Sequence, residues 1–117
     1  MSDILLCCHD PILMKNIYGI LRDEGHTVDI AEHPTMAVRI ILNKRYSAVI
    51  LDSEPFGLSA EEAVRIIGSI SPEIPVLLLG KAEAAVEAER LPVPLNLEEF
   101  RQAIRDIPVL SSTSHLS

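Results

Sequence analysis

Hydrophobic residues along this chain follow two alternating patterns. Ile4 to Cys8, Ala48 to Leu51 and Ile74 to Leu79 run without a charged position, as strands buried on both faces of a parallel sheet do. Thr27 to Ala31 is a second, half-apolar strand. Between these runs the apolar residues recur at three and four: Leu13, Ile17, Ile20 and Leu21, then Ala37, Val38, Ile41 and Leu42, then Ala63, Val64, Ile67 and Ile70, and finally Phe100, Ala103, Ile104 and Ile107. That spacing predicts helices with one face on the sheet.

Punctuation agrees with the pattern. Asp10-Pro11 is an N-cap with proline at the first helical position, Pro34 opens the second helix, Ser59 to Glu62 is a capping box, and Asn96 to Glu99 caps the last helix. Gly25, Ser71-Pro72 and Pro108 are stops. Asn43, Lys44 and Arg45 place positive charge at the end of the second helix, where its dipole favours it. Ala82 to Glu89 predicts a short, weakly apolar fourth helix, and Leu91 to Pro94 a brief edge strand, because proline cannot donate to a ladder. Five alternations of strand and helix imply an α/β fold with a parallel sheet, helices on both faces and right-handed crossovers.

Composition narrows the picture. A chain of 117 residues can bury one core without disulfides or metal, and 48% hydrophobic content with 3% aromatic residues and no Trp fits a core of Ile, Leu, Val and Ala. The net charge of -7 argues against direct nucleic-acid binding, which needs a basic face. Adjacent Cys7 and Cys8 make no spaced disulfide framework, and no apolar run reaches a membrane span, so the expected compartment is the cytoplasm. Residues 1–107 read as one domain, and the serine-rich residues 108–117, which include a solvated His115, as a flexible tail or the start of a linker.

The chemistry centres on Asp52. It ends an apolar strand just before the Pro55 to Gly57 loop, and the carboxyl edge is where open α/β sheets place their sites. Cys7 and Cys8, followed by His9 and Asp10, suggest soft metal ligands, but consecutive strand residues point to opposite faces and cannot easily share one ion. Buried structural thiols are the expectation, and a strained disulfide between neighbours is disfavoured. His26 and His33 read as surface histidines. Gly80-Lys81 lacks the flanking pattern of a phosphate loop, and no Ser/His/Asp set is placed for hydrolysis, so the chain does not read as an enzyme.

Ile4 to Pro11, Glu24 to Val28, Val49 to Asp52, Pro72 to Val76 and Asn96 to Phe100 together resemble the receiver domain of two-component response regulators over residues 3–107. The resemblance implies a flavodoxin-like (βα)5 fold, five parallel strands in the order 2-1-3-4-5, here with a shortened fourth helix. It puts Asp52 at the phospho-acceptor position, with a histidine kinase as donor and Mg²⁺ bridging the phosphoryl oxygens. The positions of the family's acidic pair hold Cys8 and His9, that of its Ser/Thr holds Gly80, that of its Lys holds Val93, and that of its switch aromatic holds Arg90. Val93-Pro94 stands where the family has a cis peptide. Asp10 and Glu54 are the possible substitute Mg²⁺ ligands.

These departures predict a divergent receiver, or pseudo-receiver, in phosphorelay signalling, binding a histidine kinase or a downstream effector with little or no Mg²⁺-dependent phosphorylation. The alternatives are a receiver phosphorylated on Asp52, and a small metal- or redox-binding module at Cys8 and His9. The resemblance also implies a possible homodimer through the last helices and strand.

Overall fold

The structure is a computed structural model that describes residues 3–52, 58–79, 89–91 and 96–106. Its elements are β1 (Asp3–Cys7), α1 (Pro11–Asp23), β2 (Thr27–Ala31), α2 (Pro34–Asn43), β3 (Ala48–Asp52), α3 (Leu58–Ile70), β4 (Val76–Leu79), β5 (Glu89–Leu91) and α4 (Leu97–Asp106). The five strands form one sheet in the order β2-β1-β3-β4-β5. All four pairings are parallel. This is the expected flavodoxin-like order, with the strand sequence reversing beside β1.

The strands explain how one chain builds two cores. Alternate residues point to opposite faces, so Ile4, Leu6 and Ile50 join Ile17, Leu21, Phe100 and Ile104 of α1 and α4 on one side. On the other, Leu5, Val49 and Leu51 join Ala37, Ile41, Ala63 and Ile67 of α2 and α3. Leu42 does not share that burial: it is 62% exposed. One residue beyond Ile41, it is turned about 100° around the helix, away from the sheet.

Three of the caps form as their residue types dictate. Asp10 Oδ1 accepts from the Ile12 and Leu13 amides at 2.9 and 3.3 Å, and Asn96 Oδ1 from Glu98 and Glu99 at 2.9 and 3.1 Å. Gly25, at φ +90°, ends α1. The Gly25 amide bonds Arg22 O and the His26 amide bonds Leu21 O, each at 3.0 Å, the paired bonds of a Schellman motif. The second helix has a cap that the sequence pattern did not mark, since His33 Nδ1 accepts from the Thr35 amide at 3.1 Å.

Other expectations need correction. β5 is Glu89–Leu91, two residues ahead of the expected Leu91 to Pro94, with Leu77 opposite Glu89 and Leu79 opposite Leu91. The strand uses residues that keep their N–H and stops before Pro92. Glu89 therefore belongs to no helix, and the rest of the expected fourth helix lies outside the described residues. The third helix starts at Leu58, so Ser59 is inside it rather than ahead of it as a cap. Ile107 and the 108–117 tail, His115 included, lie outside the described residues.

Two polar clusters tie the edges together. Glu24, following α1, receives Arg101 Nη1 at 2.8 Å and Arg105 Nε at 3.0 Å from α4. Asp29 of β2 accepts from Lys44 Nζ and from the buried Tyr46 hydroxyl, both at 2.7 Å. The first joins segments about 80 positions apart, as only tertiary packing can.

Candidate functional site at the end of β3

Asp52 is the last residue of β3, opposite Leu79 in the register with β4. On the other side, Cys7 pairs with Leu51, so the next residue, Cys8, is brought level with Asp52. Both side chains are buried, with Asp52 2% and Cys8 3% exposed. The Cys8 thiol lies 3.6 Å from Asp52 Oδ2 and donates to it. Its sulfur also lies 3.7 Å from the Asp10 carbonyl oxygen, so one S–H is shared between two acceptors.

A carboxylate in a nearly dry position demands a donor or a cation. Cys8 is such a donor, and it is well suited to remain one. Burial, and then the negative charge of Asp52, pushes its thiol from the ordinary 9.0 up to about 11. At pH 7 only about one molecule in ten thousand therefore carries a Cys8 thiolate. Cys7 is pushed up to about 12, again chiefly by burial. The two thiols are free and separate: Cys7 packs with Leu5 and Leu51, and Cys8 packs on the opposite side with Leu6 and Ile50. Neither a shared ion nor a disulfide fits that arrangement.

Of the other sequence candidates near Asp52, the described residues include Asp10 and His9. Asp10 is exposed, with its Oδ1 engaged at the start of α1, though its backbone carbonyl faces Cys8. His9 is exposed. Glu54, Gly80 and Val93, together with the Val93-Pro94 peptide, lie outside the described residues, and Arg90 is placed in β5. Among the described residues no group of three or more His, Cys, Asp or Glu side chains could hold a metal ion. Mg²⁺ requires several oxygen ligands in near-octahedral geometry, and a protonated thiol beside Asp52 is not one. The described residues therefore do not fit that ion.

His26 departs from expectation as well. Its Nδ1 is buried and finds no hydrogen-bond partner among the described residues. Burial is the leading cause holding its pKa below the usual histidine value, because the cation would be poorly solvated there. The signal was present in the sequence: His26 follows Gly25 in a helix-ending turn, which folds the next residue back over the helix end.

The chain is similar to response regulators. Over 96 residues it is 33% identical to an NtrX-like response regulator of Rickettsia bellii, a match covering 78% of this chain and 20% of that protein. It is 27% identical over 111 residues to the response regulator MprA of a Mycobacterium species, covering 87% of this chain and 48% of that protein. The chain thus spans between a fifth and a half of these relatives. No family model matches it. The fold matches the chemotaxis protein CheY4 of Vibrio cholerae, with TM-score 0.78 at 20% identity over 92% of this chain and 98% of that one. It also matches the receiver domain of a Pseudomonas aeruginosa sensor histidine kinase, solved with a magnesium ion in its active-site cleft, with TM-score 0.76 at 22% identity over 89% and 94% of the two chains.

Proposed function

We propose that this chain, a response-regulator receiver domain of two-component signalling, acts by binding a partner protein, with little or no Mg²⁺-dependent phosphorylation of Asp52. The partner would be a histidine kinase or a downstream effector, met in the cytoplasm. One observation carries the reading: the Cys8 thiol donates to Asp52 Oδ2. Phosphoryl transfer to a carboxylate brings negative charge onto negative charge, and a divalent cation is the usual means of offsetting it. A neutral thiol donates one shared hydrogen bond and no charge. The net charge of -7 makes the same repulsion worse and favours a protein partner over nucleic acid. Among the described residues no helix is long and apolar enough to cross a membrane.

A second reading, phosphorylation of Asp52 with substitute ligands, has the buried carboxylate at the end of β3 in its favour. The engagement of Asp10 Oδ1 in the α1 cap weighs against it. Intact mass after incubation with acetyl phosphate separates the two. The chain should remain unmodified, with and without Mg²⁺, under conditions that label an ordinary receiver. An adduct that needs both Mg²⁺ and Asp52, absent in Asp52→Asn, would overturn the first reading.

A further inference from the structure

We propose that the groove between α2 and α3 is the surface by which two copies of this chain associate. The inference is independent of whether Asp52 is phosphorylated. It also places the contact away from the last helices and strand, where the family resemblance implies a homodimer, since α2 and α3 cover the side of the sheet opposite α1 and α4.

The two helices follow parallel strands and pack on one side of the sheet, so they run side by side in the same direction. Between them lies a groove of about 180 Å³, lined by Thr35, Val38 and Arg39 from α2 and by Glu62, Ala63 and Ile66 from α3. An apolar cavity of roughly 150 Å³ accepts a benzene-sized group, so an aliphatic side chain from outside fits here. The apolar surface continues along the pair, because Leu42 and Ile70 stand one turn beyond Val38 and Ile66 on the same helix faces. Leu42, Ile66 and Ile70 are three of the seven large apolar side chains exposed among the described residues. Covering such a strip gains about 25 cal/mol for each Å² of apolar surface removed from water.

The charges select the occupant. Arg39 stands on the α2 wall and Glu62 on the α3 wall, both exposed, and among the described residues neither forms an ion pair. A face with one cation and one anion on opposite walls is complementary to itself. Laid on it about a two-fold axis parallel to the helices, a second copy puts its α2 on this α3 and its α3 on this α2. Arg39 and Glu62 both lie in the second turn of their helices, so each Arg39 then faces Glu62 of the other copy, and Val38 meets Ile66 between them. The other two-fold placement, α2 on α2, brings neither Arg39 to a Glu62. The net charge of -7 opposes association at long range, but at an ionic strength of about 0.15 M it is largely screened beyond about 8 Å. Two short helices side by side span about 15 by 20 Å, a small contact, so the dimer is weak and concentration-dependent.

The test is sedimentation equilibrium of the full chain from about 10 μM to about 1 mM, for wild type, Arg39→Glu, Glu62→Arg and an equimolar mixture of the two variants. Wild type should pass from monomer to dimer across that range. Each reversal sets like charges against each other in both halves of the contact and should weaken association at least tenfold. The mixture should recover it, because every reversed charge then meets an opposite one on the other copy. A wild type that stays monomeric to the highest concentration would overturn the proposal. So would a dimer that both reversals leave intact, which would lie on another face, or a mixture that associates no better than either variant alone. If a reversal fails to fold, Ile66→Lys decides: a tenfold loss of association supports the proposal, and an unchanged dimer overturns it. Acetyl phosphate labelling bears on the proposed function and leaves this one standing.

Discussion

Alkaline stability offers a direct measure of how the site holds Cys8. Folding raises this thiol from 9.0 to about 11, through burial first and then the charge of Asp52. A group whose folded pKa is raised contributes stability that is complete below its unfolded value and is lost as pH climbs through its folded value. Between pH 9 and pH 11 the unfolded chain has released the Cys8 proton and the folded chain has kept it. The stability slope in that window reaches at most about -1.4 kcal/mol per pH unit for this thiol, and the loss is about 2 kcal/mol in total once solvent relaxation around the site is allowed.

Cys7, Tyr46 and Lys44 are also raised by folding and steepen the total, so the informative quantity is a difference. Cys8→Ser keeps the size and a hydrogen-bond donor but does not titrate in this range. Urea unfolding of wild type and Cys8→Ser at half-unit steps from pH 7.5 to 11 should give a constant difference below pH 9. Above it, the difference should shrink by about 2 kcal/mol in all by pH 11. A difference that stays flat to pH 11 would mean that Cys8 is solvated and not held against Asp52, and the account of the site would fail with it.

Two further outcomes test the frame around the site. Arg105, then Arg101, lower the Glu24 carboxyl below its usual value, so its contribution is present above pH 4.5 and fades as pH falls through the lowered value; Glu24→Gln should reduce stability by up to about 1 kcal/mol at pH 7 in urea melts, with the gap closing as acid protonates the carboxyl. Phe100 is fully buried between α4 and the sheet, and Phe100→Ala should cost about 3 to 5 kcal/mol by chemical denaturation, with a loss under 1 kcal/mol meaning that α4 is not docked there.

Periodicity carries the fold in this chain because β1, β3 and β4 are almost unbroken apolar runs and the helices are apolar at every third or fourth position, two patterns that local chemistry alone distinguishes. Asp10, Asn96 and Gly25 mark helix boundaries for the same reason: each acts on backbone groups within a few residues of itself. β5 was displaced because Glu89 and Arg90 have no apolar signature, and their strand exists only because β4 offers them an edge. Leu42 shows the limit of reading a stripe, since burial on a helix depends on where the sheet lies beneath it.

The site divides in the same way. That Asp52 ends a buried strand follows from the sequence; that Cys8 and His9 hold the positions of an acidic pair is what the family likeness implies. That the Cys8 proton goes to Asp52 Oδ2, that Cys7 faces the other core, and that Asp10 offers its carbonyl toward Cys8 were decided by the register of β1 against β3. Residues 44 positions apart meet there, and a sheet sets such meetings by hydrogen bonds between strands, which no local pattern along one strand contains.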